Sequence, residues 1–187
     1  VDGRLLDNVA LLRSGVVIAC ATETLFGLLA DAYSESAVSA VVAIKQRGPE
    51  PIALLAPDLA SVEQLGELND QARALASKHW PGPLTLVLRV RAQLPAPLVR
   101  DGTIGVRIPG PSPALDLVRA FGGPLTATSC NPTGQPAART AQEARAYFGD
   151  RLLVLPQPAP GGPPSTIVDA TGPVLRVLRR GAIDLPL

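Results

Sequence analysis

Short apolar runs alternate with stretches of helical spacing along most of this chain, which restricts it to a layered α/β fold. Leu5, Val9 and Leu12 lie at helical spacing that stops near Gly15, and "VVIAC" then reads as a buried strand. "SESAVSAVVAIKQR" is expected to be a helix capped by Ser34 or Ser36, with Val38, Val41, Val42 and Lys45 in register. "IALLA" reads as a strand, "DLASVEQL" and "NDQARALASKHW" as helices, and "LTLVLRV" and "TIGVRIP" as strands. "PALDLVRAFG" is a helix with Pro113 in its first turn and Gly122 just past its end, and "PLTATS" is the strand that follows. Thr140 and Glu143 have capping-box spacing in "RTAQEARAYFG", which Gly149 ends. "RLLVLP", "STIVDAT" and "VLRVLRR" close the chain as strands, so the sheet is expected to be mixed rather than wholly parallel.

The 187 residues suit one domain spanning 1–187. Seventeen basic against 16 acidic residues argue against a chain held mainly by nucleic-acid backbones, though a local basic patch is compatible with that balance. Cys20 and Cys130 have no metal-ligand spacing, and with His79 as the one histidine a zinc site is not expected. A disulfide framework is not expected either, which favours a reducing cytoplasm. No apolar run approaches the ~20 residues of a membrane helix, so no membrane association is expected. No signal peptide is read, and a sequence that opens at Val1 and holds no Met is expected to lack its natural start.

Polar clusters sit at the ends of these elements. Thr22, Glu23 and Thr24 follow the first strand; "KQRG" ends a helix; "WPGPLT" leads into a strand; Arg107 closes "GVRIP"; and "TATSCN" ends another strand. Ligands of open α/β sheets bind beyond strand ends, where loops converge, so these clusters point to one shared pocket. Taken singly, each has an ordinary structural use. Lys45 and Arg47 suit a helix C-terminus, Ser129 and Asn131 suit turns, and Glu23 suits a cap or turn. No phosphate loop of the Gly-rich Lys-Ser type and no dinucleotide fingerprint is present.

The order and spelling of the clusters resemble the YrdC/TsaC family of threonylcarbamoyl-AMP synthases, in its short single-domain form. "ATETLFGLLADA", "KQR", "WPGPLT", "GVRIP", "ATSCN", "STIVD" and "VLRRGAI" follow one another in the family order, from about Leu5 to Ile183. The resemblance implies a twisted open sheet of parallel and antiparallel strands, flanked by helices, with a concave active-site cavity. It implies a nucleotidyltransferase that makes threonylcarbamoyl-AMP and pyrophosphate from L-threonine, bicarbonate and ATP, for the threonylcarbamoyladenosine modification of tRNA. Magnesium would come with ATP, and the product would pass to threonylcarbamoyl-transfer proteins. A tRNA or RNA contact is also compatible.

Residue by residue, Lys45, Arg47, Ser129 and Asn131 match the family's catalytic set. Arg47, Thr103, Ser129 and Arg179 match ATP contacts, and Thr24, Arg107, Ala127 and Ser165 match threonine contacts. The Pro/Gly-rich stretch from Pro156 to Pro164 leads into Ser165 and is expected to act as a lid. Four departures stand out: Ala21 where the family has Pro, a shortened "GPEP" loop after Arg47, Leu55 where some members have His, and Ala137 where some have Ser. Two other readings stand beside the enzyme: a YrdC-like module that holds a nucleotide or RNA, and the carbamoyl-adenylate variant found within hydrogenase-maturation proteins.

Overall fold

The computed structural model describes residues 3–45 and 52–186. In chain order, α1 (Gly3–Arg13) leads to β1 (Ile18–Ala21), β2 (Phe26–Leu29), α2 (Glu35–Lys45), β3 (Ala53–Leu55), α3 (Leu59–Leu65) and α4 (Asp70–His79). Then come β4 (Leu84–Arg89), β5 (Thr103–Arg107), α5 (Pro113–Phe121), β6 (Leu125–Ser129), α6 (Ala141–Phe148), β7 (Leu153–Val154), β8 (Thr166–Asp169) and β9 (Arg176–Arg179). The helix starts follow their sequence signals. Ser34 accepts the Ala37 N–H at 3.3 Å, which settles α2's cap in favour of Ser34. Ser112 caps α5 ahead of Pro113, and Gly122 ends it in the left-handed region. Thr140 accepts the Glu143 N–H while the Glu143 carboxylate takes the Arg139 N–H at 2.6 Å.

Among the described residues the strands form one mixed sheet in the order β7-β1-β2-β6-β3-β5-β4-β8-β9. β1 with β7, β3 with β5 and β4 with β8 pair in parallel, and the other neighbours pair antiparallel. β2 is the strand that periodicity missed. It is buried throughout, so "FGLL" shows no alternation, and it joins β1 to β6.

Burial alternates along the central strands. Leu54, Ile104, Val106, Leu86, Leu88 and Val168 are buried, while Ala53, Gly105, Thr103, Ala127, Val87 and Ile167 are half-exposed. One face of the sheet is therefore packed and the other is open over its centre. The open face is built from small residues. Ala53 lies opposite Ala127, Gly27 opposite Ser129, and a Cβ on Gly105 would stand 3.6 Å from that of Ala53. A floor of Gly and Ala leaves a hollow where larger side chains would have filled it.

At the other end of the chain Gly181 is pressed against Pro164 and Ser165, which lead into β8. A Cβ there would collide with the Pro164 carbonyl and come within 2.7 Å of the Ser165 backbone. Ala182 N–H donates to Pro164 O at 2.8 Å, so neither segment can back away cheaply. Gly181→Ala is expected to destabilise by about 2 kcal/mol, lowering Tm by roughly 4–8 °C. Gly172→Ala, with nothing within 4 Å, leaves Tm unchanged. Thermal melts of the two variants check this.

Candidate active site

The polar clusters meet in one cavity of about 300 Å³. Its floor is the small-residue face, with Gly27, Ala53 and Ala127. The β1–β2 loop supplies Thr22, Thr24 and Leu25; α2 supplies Lys45; β4 and β5 supply Thr85 and Arg107. Ser129, Asn131, Thr133 and Gly134 form another wall, and Pro164, Ser165 and Arg179 complete the rim.

Lys45 is buried, and its ammonium is ringed by oxygens. It donates to Ser129 O at 2.7 Å, Asn131 Oδ1 at 3.0 Å, Ser129 Oγ at 3.1 Å and Asn131 O at 3.2 Å. A positive charge is tolerated at such depth only when its N–H groups are met. The side chain thus serves the end of β6 rather than its own helix; the Lys45 carbonyl is covered by the Thr133 hydroxyl at 3.2 Å. Asn131 spends its amide N–H groups on the carbonyls of Pro132 and Gln135, so its work is to hold Lys45 and the turn. The exposed Ser129 hydroxyl accepts from Lys45 and keeps its own proton to donate.

Across the cavity, Arg107 is 7% exposed and bonds Glu23 Oε1 through Nη1 at 2.6 Å. Burial pulls the Arg107 pKa down, and the Glu23 carboxylate pushes it back up. Arg179 donates to Ser165 O at 2.8 Å and to Ser165 Oγ at 3.2 Å. Its pKa is also lowered, by burial first and then by the charge of Arg107. Ser165 Oγ lies 2.9 Å from Thr85 Oγ1. Thr24 Oγ1 lies 3.1 Å from Thr22 Oγ1, and Thr24 O accepts the Gly161 N–H at 2.9 Å. That bond, with Ala159 N–H to Arg139 O at 3.3 Å, lays the Pro/Gly-rich segment against the site.

The cavity brings together Lys45, Ser129, Asn131, Thr24, Arg107, Ala127, Ser165 and Arg179. Thr103 is outside its lining, and its hydroxyl donates to Arg100 O at 2.7 Å. The strand registers nevertheless put Thr103 on the same open face and at the same end as Ser129, two strands away or about 10 Å. Arg47 and the "GPEP" loop lie outside the described residues. Leu55 is buried in β3 beside Arg107, and Ala137 is half-buried beyond β6. Thr85 and Glu23 entered the sequence reading only as members of the "WPGPLT" and Thr22–Thr24 clusters, and neither was given a functional role; their contacts, Thr85 with Ser165 and Glu23 with Arg107, join residues 80 or more positions apart and leave no local signal. Among the described residues no group of three or more His, Cys, Asp or Glu side chains could hold a metal ion, and no helix is long and apolar enough to cross a membrane.

An open mixed sheet whose bare centre is ringed by cationic and hydroxyl side chains defines an α/β protein with a polar cavity on one face of its sheet. The chain belongs to the Sua5/YciO/YrdC family, whose model carries the description telomere recombination and matches residues 10–181. A threonylcarbamoyl-AMP synthase of Klebsiella pneumoniae is 40% identical over 178 residues, covering 90% of this chain and 92% of the relative. The synthase of Sodalis glossinidius is 39% identical over 175 residues, with the same coverage of 90% and 92%. Among solved structures, P. abyssi Sua5 complexed with L-threonine superposes with a TM-score of 0.89 at 30% identity over 95% of this chain. The present chain spans only 54% of that Sua5 chain. E. coli YciO matches with a TM-score of 0.86 at 24% identity, covering 96% of this chain and 90% of its own, a likeness of fold.

Two substitutions separate the roles of the Lys45 cluster. Lys45→Ala strips donors from oxygens of Ser129 and Asn131 and is expected to cost about 1–3 kcal/mol of stability. Ser129→Ala leaves the backbone and Asn131 acceptors in place and is expected to melt within roughly 1 °C of the parent. Equal losses in the two variants contradict this division.

Proposed function

We infer that this chain is a threonylcarbamoyl-AMP synthase, a nucleotidyltransferase that joins L-threonine, bicarbonate and ATP and releases pyrophosphate. The observation that carries the reading is the 39–40% identity to synthases over about nine-tenths of both chains. The cavity supports it. The reaction gathers a carboxylate, a carbamate and a triphosphate, and the wall offers Lys45, Arg107 and Arg179 together with neutral donors. The relatives favour this enzyme over a module that only holds a nucleotide or RNA.

In this reading the threonine carboxylate lies on Arg107, whose guanidinium suits it, and Thr24, Ala127 and Ser165 surround the rest of the amino acid. The free amine condenses with bicarbonate to give a carbamate, and water leaves. A carbamate oxygen attacks the α-phosphorus of ATP, the bond to the bridging oxygen breaks, and pyrophosphate leaves. Lys45 and Asn131 hold Ser129 where its hydroxyl meets the phosphates, and Arg179, Arg47 and Thr103 serve the nucleotide along the open face. The protein's share is positioning and fixed electrostatic stabilisation. Magnesium, bound by ATP oxygens more than by side chains, would offset phosphate charge; the shortage of clustered carboxylates in the described cavity supports that division. We further propose that the enzyme works in the cytoplasm and hands its product to threonylcarbamoyl-transfer proteins, and that any tRNA contact is secondary.

A pyrophosphate-release assay tests the reading. Release is expected only when ATP, bicarbonate and L-threonine are all present, and release independent of the amino acid overturns it. Ser129→Ala should lower kcat/KM by at least about a hundredfold, the usual loss for one donor to developing charge. L-serine should be used roughly 10–200-fold less well if the pocket closes on the threonine methyl. Equal use of the two amino acids contradicts a closed pocket.

A further inference from the structure

Thr85 closes the stretch "WPGPLT" and lines the cavity, yet no step of the proposed reaction uses it. On β4 its neighbours Leu84, Leu86 and Leu88 are fully buried on the packed face, which turns Thr85 and Val87 to the open one. Thr85 is only 4% exposed. Valine has nearly the same volume and brings no hydroxyl to satisfy at that depth, so the hydroxyl calls for a use.

That hydroxyl has a single partner. Thr85 Oγ1 lies 2.9 Å from Ser165 Oγ and makes no other hydrogen bond among the described residues. Its methyl lies towards β5, where a Cβ on Gly105 would meet it at 3.5 Å. A β-branched side chain is stiff about χ1, so the seat of the methyl also fixes the place of the oxygen. Ser165 Oγ in turn receives Arg179 Nη2 at 3.2 Å. A guanidinium only donates, so one of the two lone pairs on Ser165 Oγ is taken.

The direction of the Thr85–Ser165 bond decides the rest. If Ser165 donates to Thr85, the Thr85 proton is left at a buried position with no acceptor. If Thr85 donates, the second lone pair of Ser165 is taken, and what Ser165 has left to offer is its own proton. Both side chains line the cavity, so that proton gains an acceptor once a ligand oxygen arrives. Both hydroxyl protons are then used, and each bond polarises the next.

We propose that Thr85 is a positioning residue for the amino-acid substrate: its hydroxyl donates to Ser165 Oγ and so aims the Ser165 proton at an acceptor oxygen of that substrate. The proposal rests on the threonine reading, in which Ser165 touches the amino acid, and it gives "WPGPLT" a part in the site. Thr85 acts through Ser165 rather than by a contact of its own. Its effect is therefore conditional on Ser165 and is read from a double-mutant cycle.

The test measures the Kd of L-threonine by calorimetry, without ATP or bicarbonate, for the wild type, Thr85→Val, Ser165→Ala and the double variant. Valine keeps the shape of the wall and removes the hydroxyl. Thr85→Val is expected to weaken binding at least about fivefold, and Thr85→Ser, which keeps the hydroxyl, to bring Kd back to within about twofold of the wild type. In the Ser165→Ala background, adding Thr85→Val should change Kd by less than about twofold. A residue that only steadies the fold would move Tm and leave the threonine Kd alone. An unchanged Kd in Thr85→Val, or no recovery in Thr85→Ser, therefore overturns the proposal. So does a loss of about fivefold that persists in the Ser165→Ala background, because Thr85 would then act on the ligand directly. A wild type that does not bind L-threonine sinks the threonine reading and the proposal with it, whereas binding with an uncoupled cycle sinks the proposal alone. If Thr85→Val does not fold, Thr85→Ala removes the same hydroxyl, and the same cycle decides.

Discussion

The Lys45 ammonium is the point on which the site depends. It sits at the end of α2, yet its oxygens come from residues 84 and 86 positions further along the chain. A buried cation with all its N–H groups met cannot release them one at a time without leaving charge unsolvated. The end of β6, the turn at Asn131 and the end of α2 are therefore fixed relative to one another, and the Ser129 hydroxyl stands on the cavity wall as a consequence. The neighbouring Cys130 thiol does not disturb this balance. Burial pushes its pKa up to about 12, although the charge of Lys45 acts in the other direction, so the sulfur stays neutral near physiological pH.

The second constraint is the bare face of the sheet. Gly105 has neither a left-handed backbone nor a clash that demands glycine, and glycine within a strand costs about 0.5–1 kcal/mol. Together with Gly27, Ala53 and Ala127 it keeps the centre of the sheet open, while the packed face carries the apolar core. Arg107 then reaches the hollow from the end of β5, and Arg179 reaches it from the edge strand β9. Depth, floor and charge all follow from which residues alternate onto that face.

Much of this was legible in the sequence. Periodicity and caps located the helices, and the order of polar clusters at element ends announced a shared site. "TATSCN" does meet the end of α2, through Lys45. What was not legible lies in long-range contacts. Asn131 reads from sequence as a turn residue or a member of the catalytic set, and nothing local shows that its N–H groups go to the carbonyls of Pro132 and Gln135 while its oxygens meet Lys45. Lys45 reads as a charge for the ligand or the helix dipole, and it is also the fastening of β6. Glu23 reads as a turn former because nothing local shows that Arg107, 84 positions away, will lie against it. β2 escaped notice because a strand buried on both faces has no alternation to see.

The central claim is that a carbamate oxygen, rather than the amino acid's own carboxylate, is joined to the nucleotide in this cavity. The most direct measurement supplies ¹³C-bicarbonate with L-threonine and ATP and follows the products by ¹³C and ³¹P NMR with mass spectrometry. Carbamate attack predicts a nucleotide product carrying the label in a mixed anhydride bonded to phosphorus, with one labelled carbon for each pyrophosphate released. Pyrophosphate accompanied by an unlabelled aminoacyl nucleotide would contradict it.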